Sequence, residues 1–137
     1  MSETYDVLIR NGHVIDPKHG IDGISDVAVK DGLIAAVGNQ LPGTATKQID
    51  ASGLHVTPGL LDIHLHAYQR FGGWLHPDQV NLPYGVTTCV DTGSSGWQHF
   101  PDFVETIIEP ATMRVLAFIN IVGAGMAGAC EQDTSEM

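Results

Sequence analysis

The sequence predicts an α/β protein in two unlike parts, a small β-sandwich segment over residues 1–56 and a strand–helix alternation over residues 57–137. Three observations carry this. Residues 4–56 break into short apolar–polar alternating runs separated by turn residues, the pattern of half-buried strands. After Pro58, near-continuous apolar runs alternate with helical patterns, as in a parallel sheet covered by helices. At the junction lies PGLLDIHLH, residues 58–66, where three polar residues interrupt an apolar strand.

In the first part, strands are expected at residues 5–9, 12–15, 26–30, 33–37, 47–50 and 54–56, arranged as a small meander. Asp31-Gly32 between two of these runs is a strong hairpin signal. His13, His19 and His55 are scattered here and read as surface or structural residues. In the second part, residues 60–67, 86–91 and 114–122 read as strands. Helices fit residues 77–82, closed by Pro83 and Gly85, and 101–108, stopped by Pro110. Phe103/Ile107 and Val104/Ile108 are i,i+4 apolar pairs in the second of these. Residues 93–96 read as a Gly/Ser loop.

The chemistry concentrates in residues 58–66. Strand alternation would put Asp62, His64 and His66 on one face and Leu61, Ile63 and Leu65 on the other. Polar groups in so apolar a strand are costly unless something satisfies them. A divalent metal held by the two imidazoles does so most simply, with the Asp62 carboxylate orienting a ring or bonding the scaffold. A bare His-x-His is more often two surface histidines; the apolar strand, the preceding Pro-Gly and the neighbouring Asp favour ligation here. His76, ahead of Pro77, reads as a cap or loop residue, and His99 as a loop residue.

Composition narrows the function further. Six Lys plus Arg stand against sixteen Asp plus Glu, a net charge of −10, so the basic footprint of a nucleic-acid binder is missing. Lys18, Lys30 and Lys47 are the lysines, and residues 57–137 contain none. No apolar run approaches the roughly 20 residues that span a bilayer. The first residues show no basic-then-apolar signal, which makes the cytoplasm the expected compartment. Cys89 and Cys130 are too few for a disulfide framework, and Cys89 reads as a buried thiol. Gly123, Gly125 and Gly128 spell G-x-G-x-x-G after an apolar strand, the opening of a dinucleotide-binding fingerprint. The polar tail that follows supplies neither the helix nor the distant acidic residue, so a Gly/Ala loop is the stronger reading and NAD the weaker one.

Taken in order, GHVIDP, DGLIAAVG, DASGLHVTPGLLDIHLH and YGVTTCVDTGSSG resemble the metal-dependent amidohydrolase superfamily, near its dihydroorotase-like and deacetylase-type members. The resemblance implies a β-sandwich beside a distorted TIM-type (β/α)₈ barrel, of which this chain would hold about three strands, since such a barrel takes roughly 250 residues. It implies that His64 and His66 end the first barrel strand and bind a divalent metal, zinc foremost, as one or two ions, with Asp62 supporting. It implies hydrolysis of an amide, acyl C–N or ester bond of a small molecule by metal-activated water, the general base lying beyond residue 137. The family's bridging lysine, further histidines and aspartate have no counterparts here, so the segment alone is expected to be inactive. Dihydroorotases carry an arginine two positions after the second histidine; here that residue is Tyr68, with Arg70 two further on, which favours the deacetylase branch. The competing reading is a non-catalytic binding or assembly module, with a second copy as one possible partner.

Overall fold

The computed structural model describes residues 4–68 and 75–127. The chain divides into two compact units, Met1–Pro58 and Gly59–Met137.

The first unit is one mixed sheet of five strands: β1 (Thr4–Asp16), β2 (Ile21–Lys30), β3 (Leu33–Gly38), β4 (Thr44–Asp50) and β5 (His55–Val56). The order is β3-β2-β1-β4, and β5 also pairs with β1. The first three strands form the expected antiparallel meander, but β4 and β5 run parallel to β1, one after the other along its length. The link between them is a turn tied to β1, in which Ala51 N–H donates to the Arg10 carbonyl and His13 N–H to the Leu54 carbonyl. Asp31 and Gly32 take φ of 51° and 73°, the two positive values that a tight turn between right-twisted strands requires.

β1 is one strand where the sequence suggests two. Its register on β2 slips between Ile9 and Gly12, a bulge with Asn11 at φ 60°, a conformation asparagine tolerates. Buried Asp26 holds it in place. Its carboxylate accepts from Arg10 Nη1 (2.7 Å), Asn11 N–H (2.9 Å) and Leu41 N–H (3.0 Å). Burial by itself would raise the Asp26 pKa, but these donors together hold it below the ordinary value. Tyr5, Leu8 and Ala28 are buried on one side of the sheet, with Ala36, Leu41 and Ala45 against them. An apolar hollow of about 210 Å³ lies between Ile9, Val14, Val27, Val29, Ile34, Val37 and Val56. Apolar side chains on both faces make the unit sandwich-like.

The second unit is a parallel sheet, β6 (Leu60–Leu65), β7 (Val86–Gly96) and β8 (Arg114–Asn120), in sequence order. α1 (Pro77–Val80) with a tight turn over Leu82–Tyr84 links β6 to β7, and α2 (Phe100–Phe103) links β7 to β8. Both helices are shorter than the sequence pattern suggests. α2 widens into a π turn over Val104–Ile108, where Thr106 Oγ1 donates back to the Asp102 carbonyl and competes with the helical ladder. Residues 93–96, expected as a loop, continue β7 with buried backbone, because Gly96 still registers with Asn120 after an irregularity at Thr92. The core lies between the sheet and these linkers: Leu65, Ala67, Tyr68, Cys89, Phe103, Ile107, Met113 and Val115.

The strand over residues 60–67 is expected to be buried, and the structure bears this out only at its end, at Leu65 and Ala67. Among the described residues β6 is an edge strand, and Leu61 and Ile63 are 67% and 73% exposed. Leu116, Phe118 and Ile121 near β8 are exposed too, since none of the described elements packs on them. The described residues of the second unit thus form an open sheet of βα units. No helix among them is long and apolar enough to cross a membrane.

Candidate metal centre

Both histidines of interest lie at the C-terminal end of β6, the end at which ligands meet parallel sheets. The His64 and His66 ring centroids are 5.3 Å apart with the planes at 87°. Two imidazoles sharing one tetrahedral ion with metal–nitrogen bonds of about 2.1 Å would hold their centroids about 5.2 Å apart. The centroid spacing of the pair is that of two such positions. Among the described residues no group of three or more His, Cys, Asp or Glu is gathered to hold a metal.

Asp62 does not share the histidines' face in the simple way alternation suggests. It registers with Cys89 and Leu65 with Asp91, so the strand slips by a residue between them. The Asp62 carboxylate bonds the scaffold: one oxygen accepts the His64 N–H (3.1 Å), the other accepts from Asn81 Nδ2 (3.3 Å). Of the two roles open to it in the sequence, it takes the one that shapes the strand beneath the rings.

A second carboxylate, unremarked in the sequence, is more central. Asp91 is fully buried; one oxygen accepts the Ala67 N–H (2.7 Å), the other the N–H groups of Gly93 (3.0 Å) and Ser94 (2.7 Å). Ser94 in turn places Oγ 3.2 Å from His66 Nδ1. An aspartate inside an apolar strand, followed within two residues by glycine, was the available signal for this turn. Burial, reinforced by the nearby Asp62, Asp91 and Asp78 charges, pushes the Cys89 thiol up to about 11. This cysteine is the buried thiol the sequence suggests.

The remaining candidates sort plainly. Tyr68 is buried, packs on Phe103 and donates its hydroxyl to Asp102. Arg70 lies outside the described residues. His76 and His99 occupy the N-cap positions of α1 and α2 without capping them through their side chains. In the first unit, His13 contacts Asp22 and lies 5.2 Å from His55 with the ring planes tilted, while His19 contacts Asp16. Of the three glycines, Gly128 lies outside the described residues. A Cβ on Gly125 (φ 69°) would meet Gly96 N at 2.4 Å and the Ser94 carbonyl at 2.5 Å, so this glycine is explained by backbone packing against β7. Gly125–Ala127 form a short 3₁₀ turn, and the residues after it lie outside the described ones.

The chain is a homologue of amidohydrolase-superfamily enzymes of the dihydroorotase and deacetylase type, matched over most of its own length. It is 48% identical over 140 aligned residues to a dihydroorotase of Ruminiclostridium cellulolyticum, covering 96% of this chain and 32% of that one. It is 42% identical over 106 residues to a deacetylase of Agrobacterium fabrum, covering 74% of this chain and 25% of the relative. A dihydroorotase crystal structure superimposes with a TM-score of 0.78 at 33% identity, over 90% of this chain and 33% of that chain. The chain thus spans about a quarter to a third of the length of the relatives it matches. No family model matches it.

Proposed function

We propose that this chain forms the first metal-ligating part of a metal-dependent amidohydrolase that cleaves an amide, acyl C–N or ester bond in a small molecule. The observation that carries the proposal is the 5.3 Å pairing of His64 and His66 at the carboxyl end of β6. These two residues would hold the ion, and imidazole donors suit zinc as well as iron and nickel, zinc being the leading candidate. When bound, the metal supplies water activation and carbonyl polarisation. The chain's own residues shape the site: Asp62 fixes the backbone beneath His64, and Ser94 meets the far nitrogen of His66. Tyr68, buried and committed to Asp102, is no substitute for a residue gripping a substrate carboxylate, which supports acyl-group hydrolysis over dihydroorotate chemistry.

Two imidazoles fall short of the three protein ligands a catalytic zinc usually has. The first two of eight barrel units would end with the site unfinished, so the 137-residue chain is proposed to bind zinc weakly and to hydrolyse nothing by itself. The test is zinc titration of the chain against its His64→Ala and His66→Ala variants. Each variant should lose the binding. Equal zinc uptake by the double variant would sink the proposal, and turnover of N-acetylated amino acids by the purified chain would sink the claim of inactivity.

A further inference from the structure

The first unit holds a second pair of imidazoles. His13 and His55 are register partners on the neighbouring parallel strands β1 and β5, so both side chains leave the sheet on one face. Their ring centroids lie 5.2 Å apart with the planes at 51°, and two imidazoles on one tetrahedral ion stand about 5.2 Å apart. The backbone fixes the pair: His13 N–H donates to the Leu54 carbonyl (2.9 Å), and Leu54 N–H closes the turn on the Ala51 carbonyl (2.9 Å). A Cβ on Gly12 would meet Val56 Cγ2 at 2.5 Å, so glycine there lets β5 close on β1. On the other side of His13, β2 brings Asp22, whose Oδ1 lies 2.6 Å from His13 Nε2. An ionised carboxylate offers only lone pairs, so the ring nitrogen is the donor in this contact, and a neutral His13 ring keeps its lone pair on Nδ1. A carboxylate on one imidazole nitrogen with the lone pair on the other is the arrangement that orients metal-ligating histidines. The His13 and Asp22 side chains are 41% and 77% exposed and His55 is exposed, so an ion reaches them from solvent.

We propose that His13 and His55 form a surface chelate for a divalent transition metal, copper(II) foremost, with Asp22 orienting His13. Among the described residues no third ligand gathers with the pair, so Asp22 supports the ring and the remaining positions fall to water. Two nitrogen donors completed by water suit copper(II) or nickel(II), and copper(II) binds such donors most tightly of the first-row divalent ions. The chelate lies wholly within the first unit and does not depend on the reading of His64 and His66.

The test adds copper(II) chloride to the full chain carrying His64→Ala and His66→Ala, which removes the pair on β6. Amide spectra of the ¹⁵N-labelled protein are recorded at about pH 8, above the ordinary imidazole range. Copper(II) is paramagnetic and broadens the signals nearest to it. Substoichiometric metal should therefore erase residues 12–14, 22–24 and 54–56 first. His55→Gln should abolish that pattern and weaken copper uptake, read by competition with a chromophoric chelator, by about tenfold or more. Asp22→Ala should weaken it about tenfold, and His19→Ala should leave it unchanged. The substituted side chains are exposed, and metal-free spectra of β3 residues check the fold of each variant. Broadening centred on residues 16–19, where His19 and Asp16 stand 2.6 Å apart, overturns the proposal. So does broadening at residues 12–14 that survives His55→Gln, which would leave His13 as a lone binder, and so does copper uptake indifferent to His55→Gln. The two pairs fail independently: zinc uptake lost with His64 and His66 reports β6, and copper uptake lost with His55 reports β1 and β5.

Discussion

At the scale of single residues, the contrast between Asp62 and Asp91 is instructive. Asp62 attracts notice because it precedes two histidines at even spacing, yet its carboxylate serves Asn81 and a backbone N–H. Asp91 hides in an apolar run, and its three backbone acceptor bonds make it the organiser of the strand ends. Spacing shows which residues recur; it does not show a one-residue slip in register, which reverses the faces beyond it. Cys89 provides a residue-scale prediction. Its thiol, buried and pushed up to about 11, stays protonated at neutral pH and so is a poor nucleophile. In a Cys130→Ser chain, labelling by Ellman's reagent should be negligible in native buffer and complete in denaturant. Rapid native labelling would contradict the burial described here.

At the scale of elements, local rules account for the hairpin and for the start of each βα unit. Asp31-Gly32 turns as its two positive φ values demand. Gly125 shows the other use of glycine, a close approach of backbone to backbone at Gly96 and Ser94. Gly125→Ala combines an unfavourable φ with a contact that must be pushed open, and should cost about 2–4 kcal/mol. Urea unfolding should show this as a lowered midpoint; a midpoint matching the parent chain would mean the turn adapts freely. The short helices were the least legible elements. Apolar spacing predicts eight continuous helical residues over 101–108, but the Thr106 hydroxyl bonded to the Asp102 carbonyl accompanies a widened turn that i,i+4 spacing cannot reveal.

At the scale of the molecule, acidity and exposed apolar surface set the expected behaviour. Asp78 accepts from Thr112 and Met113 N–H; burial by itself would raise its pKa, but these bonds and the His76 charge outweigh it and lower it. Asp26 is lowered in the first unit for like reasons. A carboxyl with a lower pKa when folded contributes its full stabilisation above the unfolded value, here about 3.8, and loses it as pH falls through the folded one. Thermal midpoints should therefore be level near neutrality and drop below about pH 4, and Asp78→Asn should flatten part of that drop. The open faces around Ile63 and Phe118 should bind an apolar dye such as anilinonaphthalene sulfonate in native buffer. Ile63→Lys with Phe118→Lys should reduce that fluorescence; an unchanged signal would place the dye elsewhere.

The sequence by itself determined the two-part plan, the order of strands and helices after Pro58, the Asp31-Gly32 turn and the pairing of His64 with His66. Each follows from periodicity, turn chemistry or i,i+2 spacing, all of which act over a few residues. Only the tertiary structure decided that β4 and β5 run parallel to β1, that β6 is an exposed edge, and that residues 93–96 stay in the sheet. It alone joined Asp91 and Ser94 to the end of β6, residues separated from Ala67 and His66 by 24 and 28 positions. Those facts depend on which strands become neighbours and in what register, and contacts across such separations leave no periodic trace along the chain.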